Sequence, residues 1–342
     1  MTRVMVTGGA GYIGSVLCGL LVDAGHEVTC LDRFFFGQNA VQHLGNSPTF
    51  KMIRADTRWM PTDAFEGIDV VMDLAGISND PACDLDENLT EDVNYGGSRK
   101  VMELARDSGV SHLIYSSSCS VYGAGENTVL TEESEVLPVS LYAKEKIRSE
   151  SACLELESSG MRTTVLRNAT VYGVSPRMRF DLIVNIMTAY AINRGKIFVL
   201  GGGEQWRPLV HVVDVARAFI HVMDADADKV DRKIFNVGST SQNFQVRQVA
   251  QMIRAAIPGT EIEVTPDDPD KRSYNVSFDK IHDELGFDAS KSVADGIAEV
   301  RDALLEGRIS QADTRTSTVG FYKYLLDAEN LLNELKIDGK LF

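Results

Sequence analysis

The chain has 342 residues, 44% of them hydrophobic and 24% charged, a balance that excludes a disordered, collagenous or low-complexity protein. Its 34 basic and 49 acidic residues leave a net charge of −15, a field that repels nucleic acid and anionic membrane surfaces. No apolar run reaches the roughly 18 residues of a membrane span, and five scattered cysteines form neither a C-x-x-C pair nor a disulfide framework, so a reducing cytoplasm is expected.

Met1-Thr2-Arg3-Val4 reads straight into a first strand, with no signal-like apolar region before it. Thr7-Gly8-Gly9-Ala10-Gly11-Tyr12-Ile13-Gly14 follows and opens a helix expected over 15–24. Glycines at 8, 11 and 14 permit a tight turn, a close approach of backbone to pyrophosphate, and close helix–sheet packing. A second strand, Val28-Thr29-Cys30-Leu31, ends at Asp32, placed to accept from both ribose hydroxyls of NAD and to repel a 2′-phosphate; Arg33 beside it keeps NADP open. Phe50-Lys51-Met52-Ile53 is a third strand, and Asp56 just past it is read either as an adenine-edge contact or as a solvated carboxylate.

Val70-Val71-Met72-Asp73-Leu74 predicts the fourth strand and Ser78-Asn79-Asp80-Pro81 a loop beyond it, where Asp80 is either a sugar contact or a turn acid before proline. A helix over 91–108 leads to the strand His112-Leu113-Ile114-Tyr115, whose end carries Ser116, Ser117 and Ser118. A hydroxyl row at a strand's C-terminal end is where an open α/β sheet holds its ligand. Tyr142-Ala143-Lys144-Glu145-Lys146 then sets a tyrosine and a lysine four apart on one helical face. Thr163-Thr164-Val165-Leu166 is the sixth strand. The alternation predicts an α/β fold with a Rossmann-type, doubly wound parallel sheet over 1–173.

Beyond residue 173 the rhythm loosens into a smaller mixed α/β substrate-binding lobe over 174–309. Helices are expected near 181–194, 212–224, 245–257 and 292–306, with loops at Leu200-Gly201-Gly202-Gly203 and Pro266-Asp267-Asp268-Pro269. Segments near 205–240 are expected to return to the first sheet. A tail over 310–342 shows one more helical period, at 321–335, with no readable purpose. The six histidines, at 26, 43, 112, 211, 221 and 282, have no metal-ligand spacing, so no metal site is expected.

The glycine loop, the Ser116-Ser117-Ser118-Cys119-Ser120-Val121-Tyr122-Gly123 strand end and the Tyr-x-x-x-Lys pair make the chain resemble the extended short-chain dehydrogenase/reductase family. The match is to its NAD-dependent nucleotide-sugar epimerase/dehydratase branch. Leu166-Arg167-Asn168-Ala169-Thr170-Val171-Tyr172-Gly173 and the 206–216 segment add to the likeness, which covers about residues 1–300. The resemblance implies NAD as cofactor, Tyr142 as acid/base, Lys146 on the nicotinamide ribose and Ser118 on the reacting oxygen. It also implies cofactor contacts from Tyr12, Ile13, Thr57, Leu74, Ala75, Gly76, Asn94, Ser116 and Asn168. A nearby ammonium and the nicotinium charge are expected to favour the Tyr142 phenolate, which a free tyrosine reaches only near pH ~10.

For a nucleotide-diphosphate sugar, the resemblance implies Arg207 and Arg272 on the diphosphate, where a planar fork pairs with phosphate oxygens. Asn185 is implied near the same group, and Asn79 near the sugar. Thr170 stands where many sugar epimerases carry asparagine. Arg177 and Arg179 are read either as a site for a uronic-acid carboxylate or as a surface pair. Dehydratases of the family usually place acids just after the catalytic Ser/Thr; here stand Cys119 and Ser120. Cys119 is read either as a proton donor to substrate or as a small semi-buried thiol. These readings imply a C4 epimerase, with a 4-keto-sugar reductase, or an epimerase at a carbon beside the ketone, as the alternative. A 4,6-dehydratase and a non-catalytic NAD-binding regulator stand behind them. The helical faces at 91–108 and 142–158 are those that family members pair, so a homodimer is expected.

Overall fold

The computed structural model describes residues 1–156, 160–266 and 272–341. The last two positions of the 142–158 face and all but Pro266 of the 266–269 loop lie outside them. Seven strands form the central sheet: β1 Arg3–Thr7, β2 Glu27–Asp32, β3 Phe50–Arg54, β4 Val70–Asp73, β5 His112–Ser118, β6 Arg162–Asn168 and β7 Lys233–Val237. Their order is β7-β6-β5-β4-β1-β2-β3, and every pairing is parallel. The order reverses between β1 and β4, which opens a crevice at the strands' C-terminal ends.

Strand periodicity divides the core in two. Val4 and Val6 of β1 face a cluster with Leu17, Leu21, Val28 and Phe219, while Met5 faces Leu31, Val71, Val101 and Leu113 on the other side. Both faces are covered, so these strands read as nearly continuous apolar runs. Helix α1, Tyr12–Asp23, buries Leu17, Cys18 and Leu21 on the first face. Each such side chain contributes about 1.5–3 kcal/mol. Helix α2, Ser98–Asp107, covers the second face with Val101, Met102 and Ala105. The single helix expected over 91–108 is instead broken by a π-helical stretch at Asp92–Gly97. Helix α3, Leu141–Leu154, starts at Ser140, whose hydroxyl accepts from the Ala143 amide at 3.3 Å.

The second lobe is built on α4, Ile183–Arg194, which stops at Gly195 in the left-handed region (φ 65°). Helix α5, Val212–Asp224, returns to α1 and lays Val215 and Phe219 on the first core. Helices α6, Val246–Ala256, and α7, Val293–Leu305, enclose a separate cluster with Tyr172, Val184, Leu209, Ile253 and Ile297. Trp206–His211 pairs parallel with Thr170–Tyr172 and antiparallel with Asn243–Gln245, joining this lobe to the end of β6. The tail forms α8, Thr318–Leu335, which lies against the Phe35 and Phe36 rings through Phe321 and Tyr322. Among the described residues no helix is long and apolar enough to cross a membrane.

Candidate active site

A cleft of about 1280 Å³ runs along the C-terminal ends of the strands and continues between the two lobes. Its floor is the glycine loop. Gly8 has φ +66°, and a Cβ there would stand 2.9 Å from the backbone of Leu74 and Ala75. A Cβ on Gly14 would stand 2.3 Å from the Gly8 carbonyl oxygen. Gly11 precedes the helix with no side-chain cap, which leaves the first-turn amides of Tyr12, Ile13 and Gly14 for an external anion.

At the end of β2 the Asp32 carboxylate accepts from the Ala10 amide at 3.1 Å and the Phe34 amide at 2.6 Å. Burial raises its pKa and those two amides oppose the rise. Arg33 turns to Asp56 at 2.7 Å and lies over the Phe35 ring, so its charge is matched by a carboxylate. Arg58 holds Asp56 from the other side at 2.9 Å. Burial pushes the Asp56 carboxyl up, but Arg58 and Arg33 bring it below its usual value. Thr57 lies beside Asp56 on the cleft wall.

The other arm of the cleft is lined by Leu74, Ala75, Gly76, Ser116, Ser118, Tyr142, Lys146 and Asn168. Lys146 Nζ donates to the Ser116 carbonyl oxygen at 2.6 Å and lies 5.7 Å from the Tyr142 ring centre. Desolvation lowers this ammonium to about 8, with Asp73, Cys83 and Glu150 opposing. The same burial raises the Tyr142 phenol, helped by Cys83 and Asp80; Arg179 and the Ser118 hydroxyl act the other way but do not prevail. The expected lowering of Tyr142 is therefore not a property of the protein groups alone, because desolvation outweighs Arg179 and the Ser118 hydroxyl. Asn168 donates to Ser116 Oγ and the Ser117 carbonyl oxygen, both at 3.1 Å, and its Oδ1 has no hydrogen-bond partner among the described residues.

Behind this wall lies a buried ionic network. Arg167 pairs with Glu150 at 2.7 Å, Ser117 donates to Glu150 at 2.5 Å, and Arg167 also reaches Tyr122 at 3.1 Å. It ties β5 and β6 to α3 and so fixes the helix that carries Tyr142 and Lys146.

Toward the second lobe, Asn79, Thr170, Arg207 and Arg272 line the cleft. Arg272 is ion-paired with Asp80, and Arg207 donates to the carbonyl oxygens of Trp206 and Arg272. Asn79 donates to Asp181 at 2.8 Å, and Asp181 also binds Arg179 at 2.9 Å.

Three residues expected in the site are not on its wall. Asn94, carried by the π-helical stretch, accepts from the Ile77 amide at 2.7 Å and donates back to the Ile77 carbonyl oxygen, so it shapes the loop after β4 from behind. Cys119 points into the core and donates to the Arg167 carbonyl oxygen at 3.2 Å; burial pushes its thiol far up, which leaves it unfit as a proton donor to substrate. Asn185 is fully buried and bonds Tyr12, Gly173 and the Arg179 carbonyl oxygen, joining the lobes rather than facing a ligand. Arg177 and Arg179 are not a surface pair: both are buried at the edge of the cleft. His211 bonds Glu299 at 2.6 Å and accepts from the Val213 amide, a helix-capping role.

Sequence reasoning missed the wall formed by Phe36 and by Tyr322, Leu325, Leu326 and Glu329 of α8. The signal was present as the Phe34-Phe35-Phe36 run, three aromatics in a loop that needs a partner surface to bury them.

The parallel sheet, the glycine floor, Asp32 and the Tyr142–Lys146 pair define an extended short-chain dehydrogenase/reductase with NAD as its cofactor. The model of the NAD dependent epimerase/dehydratase family matches residues 4–238, and the chain belongs to that family. UDP-glucose 4-epimerase of Corynebacterium glutamicum is 27% identical over 311 residues, which cover 83% of this chain and 90% of the relative. UDP-N-acetyl-alpha-D-glucosaminuronate decarboxylase of Bacillus cytotoxicus is 29% identical over 261 residues, 73% of this chain and 79% of the relative. Among solved structures, MoeE5 in complex with UDP-glucuronic acid and NAD superposes with a TM-score of 0.78 at 25% identity, covering 89% of this chain and 99% of MoeE5. The residues lining the cleft fit NAD: a cradle that any Cβ would fill, open amides at a helix start, a carboxylate at the end of β2, and an Asn168 oxygen without a hydrogen-bond partner among the described residues.

Proposed function

We propose that the chain is a nucleotide-sugar epimerase acting at C4. NAD, when bound, supplies a hydride acceptor that becomes the hydride donor for the return step. Tyr142 accepts the proton of the sugar 4-hydroxyl as C4 gives up its hydride, leaving a 4-keto sugar. Ser118 holds the reacting oxygen and Lys146 orients the ribose side while the diphosphate stays on Arg207 and Arg272. After the sugar turns over, C4 regains hydride on its other face and Tyr142 returns the proton. Substrate oxidation and reduction cancel, so no external oxidant is consumed.

The observation that carries this reading is the protonic poverty of the wall beside Ser118. Cys119 and Ser120 are buried away from the cleft, and the two carboxylates on the sugar side, Asp80 and Asp181, are tied to Arg272 and Arg179. Elimination of water requires a second acid/base beside the tyrosine, and the carboxylate that acts on the Tyr142 phenol, Asp80, is held in the ion pair with Arg272. The test is to incubate the holoenzyme with UDP-glucose, UDP-galactose and UDP-glucuronate and follow products by proton NMR. A 4-epimer with no net change in nicotinamide absorbance is expected. A 4-keto-6-deoxy product or released carbon dioxide would overturn the reading.

A further inference from the structure

Arg177 is a buried cation that the proposed chemistry does not use. It is 6% exposed, lines the cleft, and its Nε–H has no hydrogen-bond partner among the described residues. Its guanidinium lies 3.7 Å from the centre of the Phe36 ring, and Nη2 donates to Thr318 Oγ1 at 3.0 Å. Burial and the neighbouring Arg179 push it down to about 10. A guanidinium held dry with an unused donor is costly unless an anion completes it.

Its place in the fold says which anion. The Arg177 amide donates to Ser175 Oγ at 3.3 Å, and Ser175 donates to the Tyr12 carbonyl oxygen at 2.7 Å, in the first turn of α1. Phe36 follows Asp32 by four residues, and the Asp32 carboxylate feels the Arg177 charge. The guanidinium therefore hangs between the ribose-side carboxylate and the open amides at the start of α1, the span a dinucleotide pyrophosphate crosses. Arg207 and Arg272 are ranged instead around Trp206 and Asp80, with the second lobe.

The C-terminal helix holds this arrangement. Thr318 is its first residue; Tyr322 packs on Phe36 and Phe35 at 5.4 and 6.0 Å between ring centres. Val319 and Tyr322 also join Ile77, Ala82 and Tyr142 in one apolar cluster. Helix α8 thus spans the cleft from the end of β2 to the catalytic tyrosine, and it lies outside the residues matched by the family model.

We infer that Arg177, clamped between Phe36 and Thr318, is the charged side-chain ligand of the NAD pyrophosphate, and that α8 completes this anion site. The inference rests on the cofactor and not on which sugar reaction follows.

The test uses the full-length chain stripped of nucleotide, with calorimetric titration of ADP-ribose, adenosine and UDP into wild type, Arg177→Met, Arg177→Lys and Thr318→Val. Loss of a charge-assisted fork is expected to weaken ADP-ribose by about 10- to 100-fold in Arg177→Met. Arg177→Lys keeps the charge but not the fork, and is expected to lose about 3- to 10-fold. Thr318→Val is expected to lose a few-fold for ADP-ribose, and adenosine and UDP are expected to bind all variants as they bind wild type. Unchanged ADP-ribose affinity in Arg177→Lys and Thr318→Val overturns the inference, even if Arg177→Met fails to fold. An equal loss for adenosine, or a selective loss for UDP, overturns it as well; the latter would give Arg177 to the substrate diphosphate.

Discussion

Lys146 donates its Nζ proton to the Ser116 carbonyl oxygen at 2.6 Å and stands 5.7 Å from the centre of the Tyr142 ring, so one ammonium joins the end of β5 to Tyr142 on α3. Lys146 is buried and Tyr142 half-buried on the cleft wall, and desolvation acts on them in opposite directions: it lowers the ammonium to about 8 and raises the phenol. In the nucleotide-free chain the Tyr142 phenolate is therefore expected only above pH ~10, the ordinary tyrosine value. An ultraviolet difference titration of wild type against Tyr142→Phe measures this. A phenolate signal below that pH without nucleotide would contradict the burial argument.

The lysine also leaves a mark on stability. Its folded pKa of about 8 lies below the unfolded reference of 10.5. Between these values the unfolded chain binds more protons than the folded one, so this group makes stability rise with pH across that window. Below pH 8 both states are protonated and the fold carries the whole desolvation cost. Lys146→Met is expected to gain a few kcal/mol at neutral pH, to lose the rise between pH 8 and 10.5, and to be inactive. Urea melts at three pH values test the sign.

Tyr142→Phe removes one oxygen and leaves the ring packed against Ile77, Ala82 and Val319. Turnover is expected to fall by at least about 10²–10⁴-fold, the usual worth of a general acid/base, with NAD still bound after purification. Nucleotide released on denaturation is the check, and an active variant would remove Tyr142 from the mechanism.

Two glycines on α1 make a matched pair. A Cβ on Gly14 would stand 2.3 Å from the Gly8 carbonyl oxygen and 2.7 Å from Gly9 Cα, all backbone, whereas a Cβ on Gly19 meets nothing within 4 Å. Gly14→Ala is expected to displace the loop and weaken NAD by more than tenfold. Gly19→Ala is expected to leave NAD binding intact and to gain about 0.5–1 kcal/mol from helix propensity. Thermal melts with NAD titration separate the two effects.

The Glu150–Arg167 pair is buried on both sides. Glu150→Gln is expected to cost about 3–5 kcal/mol, because it leaves the guanidinium uncompensated. Adding Arg167→Met to it should recover much of that loss. A double-mutant cycle in urea reads the coupling.

The sheet was legible because each strand is dry on both faces and so announces itself as an apolar run, from Val4-Met5-Val6 to Thr163-Thr164-Val165-Leu166. Tyr142 and Lys146 were legible because helical spacing alone puts them on one face. Of the two readings of Cys119 the buried thiol is the one the structure shows, because neighbours at this strand end face opposite ways: Ser118 reaches the cleft and the next side chain turns to the core. Asn94 could not be placed from helical spacing, since a π-helical stretch changes the face that spacing assigns. Arg177 and α8 escaped because their meaning lies in contacts between segments about 140 residues apart, such as Arg177 with Thr318. No local pattern encodes such a meeting.

Tyr12 sits in the first turn of the nucleotide-binding helix, yet its hydroxyl donates to the Gly173 carbonyl oxygen at 2.6 Å and accepts from Asn185 at 3.0 Å, the latter on α4. Asn185 in turn accepts from the Gly173 amide at 3.0 Å. This knot pins the two lobes at one edge of the cleft, in the dry interior where an opened polar group is expensive. Opening the cleft at this edge would break all three bonds together, so parting the lobes here carries the cost of several dry polar groups at once. The Gly173 amide, held by Asn185 in this interior, should exchange its hydrogen as slowly as the core strands.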